Sequence, residues 1–236
     1  MNSRSRRVLG LLSLVILAGL VVISFYQNYG KADDYPLILN PKFKYFTSDP
    51  ETGGTKPFLW EVTYTTGPND IAYISHDTVE GQQCLGLHVY QDGDNDSYTW
   101  ANVHVKQTLK GDAVSKLFRY RTEMWIYPTF SFVQDPVSKE PWNVFGLEIN
   151  DGKHLMWFVF SDGPGGAYQL RNHRIVLVHA PLNRWSKIQI DISRQYAEVG
   201  WEEPSDLSFI LIAGATKMMP GNYAGFYQEI LAEAER

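Results

Sequence analysis

Between Leu37 and Glu233, apolar side chains recur at every second position in short runs broken by Gly, Pro, Asn and Asp. A period of two is the mark of strands with one buried face. In "TWANVHVK", Ala101, Val103 and Val105 share one face, and Trp100, Asn102, His104 and Lys106 share the other. In "LFRYRTEMWIY", read as one strand, Phe118, Tyr120, Met124 and Ile126 oppose Arg119, Arg121, Glu123, Trp125 and Tyr127. In "NVFGLEIN", Phe145, Leu147 and Ile149 oppose Val144, Gly146, Glu148 and Asn150. In "KIQIDI", Ile188, Ile190 and Ile192 oppose Lys187, Gln189 and Asp191. No amphipathic helix stands out, and "YQEILAEAER" fits a helical turn or a last strand. The pattern predicts an all-β fold, an antiparallel β-sandwich of jelly-roll type, in one domain over 37–236.

The N-terminus follows another pattern. "VLGLLSLVILAGLVVISFY", from Val8 to Tyr26, carries no charge, with Arg4, Arg6 and Arg7 before it and Asp33 and Asp34 after it. A helix of about 20 apolar residues crosses a bilayer with its backbone internally hydrogen-bonded. The basic side stays in the cytoplasm. The expected organisation is therefore a cytoplasmic stub and transmembrane signal anchor over 1–26, a linker over 27–36, and an extracytoplasmic sandwich. The alternative is a cleaved signal peptide, with Gly30 and Ala32 as small residues before Asp33 and a secreted product. The apolar run exceeds the roughly 7–15 residues of a signal core, which favours the retained anchor.

Composition narrows the classes. Cys84 is the single cysteine of 236 residues, so an exported domain must rest on its core, for which 44% hydrophobic content suffices. Cys84 itself, in "QQCLGLHV", reads as a small buried hydrophobe. A net charge of −5 argues against a nucleic-acid partner.

The second faces of these strands are not simply solvated. They combine flat aromatics with charged and amide side chains, which is what a sugar asks for. A pyranose stacks its apolar face on an aromatic ring and needs directional donors and acceptors for its hydroxyls. Trp125 and Tyr127 are candidates for stacking, with Arg119, Arg121, Glu123, Asn102 and His104 for polar recognition and Trp100 and Glu148 in second rank. The competing reading packs these aromatics under loops and pairs the charges across strands.

"YQDGDNDSYTW" sets Asp92, Asp94 and Asp96 at alternate positions, a common beginning for a calcium site. Counted from Asp92, position 6 is Ser97 rather than Gly and position 12 is Val103 rather than Glu, so the EF-hand register fails. Both flanks read as strands, which makes the segment a polar hairpin tip, with calcium on these three aspartates as the alternative and the one cofactor to test. Asn95-Asp96-Ser97 is also a glycosylation sequon.

Other constellations bear on catalysis. Glu123 and Glu148 could form the facing carboxylates of a glycoside hydrolase, against an Arg119 or Arg121 salt bridge to either. A lyase could use His104 and Tyr127. "SHD" at Ser75–Asp77 has triad residue types, but neighbours along a strand point to opposite faces. "SDGPGGAY" reads as a turn, and His154, His173 and His179 lack metal-ligand spacing.

The order "LILNPKFKYF", "FLWEV", "LNRWSKIQIDI" and "LSFILIAGATKMMPGNYAGFYQEILAE" resembles the β-jelly-roll carbohydrate-binding modules of the galactose-binding-like type. The resemblance implies structural roles for Trp60 and Trp185. Where those modules end on an acidic pair, this chain has Gln228 and Glu229, which leaves Glu229 with Asp49 or Glu51 as a reduced structural calcium site. "RYRTEM" also resembles the Arg-Thr-Glu strand of alginate-type lyases, whose Gln-x-His strand this sequence lacks. The expectation is a membrane-anchored module that binds a polysaccharide or glycoprotein glycan without altering it. The alternatives are a polysaccharide lyase or glycoside hydrolase using the same face, and a structural subunit that buries it against a cell-envelope protein.

Overall fold

A computed structural model describes residues 37–49, 54–93, 100–170 and 173–233. The expected anchor and linker, Glu51, and the segment holding Asp94, Asp96 and the sequon lie outside them. Among the described residues, no helix is long and apolar enough to cross a membrane.

Two sheets pack as a β-sandwich. The larger has seven strands in the spatial order β10 (Gly166–Leu170), β11 (His173–His179), β9 (Leu155–Ser161), β8 (Asn143–Asn150), β13 (Asp206–Thr216), β6 (Trp100–Lys110) and β3 (Glu61–Thr65). The smaller has five, in the order β12 (Ser186–Ile190), β7 (Arg121–Pro128), β14 (Gly221–Glu233), β5 (Gln82–Gln91) and β4 (Ile71–Val79). A short ribbon, β1 (Phe46–Ser48) with β2 (Thr55–Pro57), precedes them. The expected all-antiparallel pairing is broken once. β11 lies parallel to β9, because the hairpin it makes with β10 is added to the sheet through its second strand.

The alternating apolar positions meet between the sheets. Ala101, Val103 and Val105 of β6 and Phe145, Leu147 and Ile149 of β8 are buried there with Met124 and Ile126 of β7 and Leu85 and Leu87 of β5. Tyr227 of β14 is fully buried and donates its hydroxyl to Gly146 O at 2.5 Å, tying one sheet to the other. Phe145 lies against Gly225 so closely that a Cβ at that glycine would collide with its ring. Trp60 is buried and donates Nε1 to Leu39 O at 3.0 Å, and Cys84 is buried, as their sequence contexts suggest.

Two helices correct the reading from alternation. Residues 117–127 are not one strand: Asp112–Arg119 is helix α1, and β7 begins only at Arg121. Gly111, at φ +52°, ends β6, and Val114, Leu117 and Phe118 then fall on one helical face and are buried. Asp112 in the first turn and Lys116 and Arg119 in the last complement the helix dipole. Ile192, expected on a strand, opens helix α2 (Ile192–Glu198), whose N-cap Asp191 accepts from Arg194 N at 2.9 Å. The ending "YQEIL" belongs to β14 rather than to a helix.

Candidate functional site

The outer face of the five-stranded sheet carries a row of rings. Alternation in β4 puts Tyr73, Ser75 and Asp77 outward, while Ala72 and Ile74 pack on the core. Tyr73 stacks on His88 of β5, with centroids 4.6 Å apart and planes 3° apart. His88 meets Phe226 of β14 edge-on at 5.6 Å, and Phe226 meets Tyr127 of β7 at 6.1 Å. Tyr127 meets Trp185, just ahead of β12, at 5.4 Å. The row takes one ring from each of β4, β5, β14 and β7 and ends on Trp185, whose side chain also reaches back to the end of β4. Each of its members is at least partly exposed, Tyr73 by 49%. Ring faces open to solvent are surfaces on which an apolar sugar face can stack.

Polar groups fix the His88 ring. His88 Nε2 lies 2.7 Å from Ser75 Oγ and 3.3 Å from Asp77 Oδ2, and Ser75 Oγ also donates to Asp77. Gly86 makes room for this cluster: a Cβ there would collide with Ser75 Oγ and lie 2.6 Å from His88 Nε2 and 2.8 Å from Asp77 Oδ2. One imidazole nitrogen faces both serine and aspartate, whereas a Ser-His-Asp relay needs one nitrogen for each. The cluster therefore orients a ring and does not form a nucleophile. Burial lowers the His88 pKa, outweighing the hydrogen bond and charge of Asp77. Four residues along β7 from Tyr127, Glu123 is 5% exposed and is bound by Lys187 and Gln189 of β12. The hydrogen bonds from Lys187 and Gln189 hold its carboxyl below the usual range. Trp185 Nε1 donates to Val79 O at 3.1 Å.

The structure divides the site expected from sequence. Arg121, Glu123, Trp125 and Tyr127 share the outer face of the five-stranded sheet. Arg119 does not join them, because it ends α1. Trp100, Asn102, His104 and Glu148 lie on the outer face of the seven-stranded sheet, on the far side of the sandwich. Glu123 and Glu148 thus point away from each other, and so do His104 and Tyr127, so neither the hydrolase pair nor the lyase pair is assembled.

On that far face, Glu148 is 5% exposed and accepts from Trp157 Nε1 at 2.9 Å and Asn150 Nδ2 at 3.4 Å. Trp157 packs edge-on against Trp100 at 6.0 Å over a cluster of Val144, Val159, Ile175 and Ile212. Burial lowers the His104 pKa against the pull of Glu148, and His104 Nε2 has no hydrogen-bond partner. In register with Glu148, the other strand carboxylate is Glu61, which is paired to Lys106 at 2.8 Å. It stands three strand spacings away, about 14 Å, beyond the 5–9.5 Å that glycoside hydrolysis uses.

Sequence reasoning missed Tyr73, His88, Phe226 and Trp185. Ser75 and Asp77 do share a face, two residues apart, but their imidazole comes from His88 and not from His76, which stacks on Phe46. Trp185 was expected to be purely structural, yet it is partly exposed and closes the ring row.

For calcium, Asp92 contributes its backbone N–H to Asp70 Oδ1 at 2.9 Å, and Asp94 and Asp96 lie outside the described residues. Among the described residues, no group of three His, Cys, Asp or Glu could hold a metal ion. Of the reduced terminal site, Glu229 is paired with Lys42 at 2.7 Å and Asp49 with Lys56 at 3.4 Å, and Glu51 lies outside the described residues.

No family model matches the chain, and no curated protein matches it. Among solved structures, it is similar to a family 11 carbohydrate-binding module from Clostridium thermocellum in complex with a mixed-linked tetrasaccharide. The identity is 11%, over 80% of this chain and 94% of that one, with a TM-score of 0.40. It is also similar to the xyloglucanase domain of a type three effector from Sinorhizobium fredii (9% identity, 73% and 97% coverage, TM-score 0.39). A third likeness is to endoglucanase 3 of Trichoderma harzianum (9% identity, 75% and 98% coverage, TM-score 0.38).

Proposed function

We propose that the chain is a jelly-roll module that binds an extended glycan non-covalently across the outer face of its five-stranded sheet. The observation that carries this reading is the row Tyr73, His88, Phe226, Tyr127 and Trp185, ring against ring across four adjacent strands. Stacking needs open ring faces, and directional recognition needs fixed polar groups beside them. Ser75 and Asp77, bonded to one another and set against the His88 ring, supply the second. In this reading, the apolar run Val8–Tyr26 holds the module at the outer side of a membrane, where polysaccharides and glycoproteins are met.

The test is binding of the full chain to an array of polysaccharides, with Trp185→Ala and Tyr73→Ala beside it and Trp157→Ala as a control on the far face. The reading expects binding that falls at least tenfold in the first two variants and survives in the third. Retention of no polysaccharide would sink it. The exposed Ile71, Tyr73 and Tyr90 of the same face would then be a contact surface for an envelope protein.

A further inference from the structure

The ring row does not stop on a flat surface. Its terminal ring, Tyr73, belongs to β4, the edge strand of the five-stranded sheet, and β3 is an edge of the seven-stranded one. A cleft of about 410 Å³ opens at these edges, lined by Thr55, Tyr64, Thr66, Asp70 and Tyr73 and by the apolar Ile71, Ala72 and Ile74 of β4. Tyr73 is therefore common to the row and the cleft.

The lining has the chemistry of a polyol site. Thr55, Thr66 and Tyr64 offer hydroxyls that can both donate and accept. Tyr64 and Tyr73 offer rings. Asp70 is held in place, with Oδ2 accepting from Gly67 N and Oδ1 from Asp92 N, each at 2.9 Å. Burial and the charge of Asp49 raise the Tyr64 pKa, so its phenol stays protonated and able to donate. Among the described residues, the lining includes one carboxylate and no Lys, Arg or His, an arrangement that repels uronate, sulfate and phosphate groups. Its volume lies in the range of small-ligand sites, about 300–1,000 Å³.

We propose that this edge cleft is a subsite for the terminal sugar of a neutral glycan chain whose preceding units lie along the ring row. The proposal rests on the reading of that row as a glycan platform. It adds two properties: affinity that rises when the chain is long enough to reach the cleft, and selection against anionic chains.

The experiment is calorimetric titration of the full chain with size series of cello-oligosaccharides and mixed-linked gluco-oligosaccharides, and with oligogalacturonate of matched length. Tyr64→Phe and Thr66→Val remove hydroxyls while keeping shape, and Trp185→Ala tests the row. The subsite predicts a step in affinity at one chain length, absent with oligogalacturonate. The step should shrink about three- to tenfold in Tyr64→Phe, the usual worth of one hydrogen bond. Shorter oligomers should bind wild type and Tyr64→Phe alike. Equal length dependence in both, or equal binding of oligogalacturonate, overturns the subsite. If Trp185→Ala still weakens binding in that case, the platform stands without it. If no oligosaccharide binds, or if Trp185→Ala changes nothing, the platform and the subsite fall together.

Discussion

Trp157 donates its indole N–H to Glu148 at 2.9 Å on one outer face of the sandwich, while Glu123, likewise buried, is bound by Lys187 on the opposite face. The two carboxylates most suggestive of hydrolysis thus serve separate structural networks. Glu148 holds an indole over the cluster of Val144 and Ile212, and Glu123 fastens β7 to β12.

Removing the indole donor should cost stability and leave glycan binding intact. Trp157→Phe keeps most of the packing and deprives the buried Glu148 of its shorter hydrogen bond. The expected loss is about 1–3 kcal/mol. Urea unfolding measures it, and an unchanged midpoint would show that the bond contributes nothing net.

Two glycines separate steric demand from conformational freedom. Gly225→Ala places a methyl into the Phe145 ring, and overpacking of this kind costs about 1–3 kcal/mol. Gly166→Ala, on the edge strand β10, meets nothing within 4 Å and should stay within about 0.5 kcal/mol of wild type. Thermal melts of the pair check the contrast.

Stability should fall at acid pH in part through Asp151. Burial raises its pKa, but hydrogen bonds from the His154 ring and from the backbone N–H groups of His154 and Lys153 outweigh that and leave it lowered. A carboxyl with a depressed folded pKa binds fewer protons folded than unfolded. Its contribution is therefore present above the unfolded value of about 3.9 and is lost as pH falls through the folded one. Asp151→Asn should lower stability at neutral pH by about 1–3 kcal/mol and flatten the decline below pH about 4. Denaturant titrations from pH 7 to pH 2 would reveal both effects, and parallel curves for the two proteins would contradict the assignment.

Trp185 and Trp125 make opposite predictions for binding. Trp185 touches the ring row through Tyr127, whereas Trp125 stands in register between Glu229 and Lys187, off that row. Trp185→Ala should weaken glycan binding at least tenfold, about 1.4 kcal/mol, and Trp125→Ala by less than threefold. Affinity electrophoresis in polysaccharide gels ranks them, and the reverse order would move the platform toward β7.

Much of this architecture can be read from one strand at a time. That Ala101, Val103 and Val105 face the core, and that Arg121, Glu123, Trp125 and Tyr127 share the other side of their strand, follows from the pleat alone. The helix that buries Val114, Leu117 and Phe118 escapes this reading, because Phe118 and Tyr120 extend the strand alternation backward over its last turn. Which sheet each strand joins lies beyond such a local pattern. β7 pairs with β14 and β6 with β13, partners about a hundred residues away, and these pairings send Trp100, His104 and Glu148 to one side and Tyr127 to the other. The same long-range order places Tyr73, His88, Phe226 and Trp185 in one row. Alternation is set by the backbone of a single strand, whereas a surface assembled across several strands depends on contacts between distant segments, whose closure and register are decided only when the whole core packs.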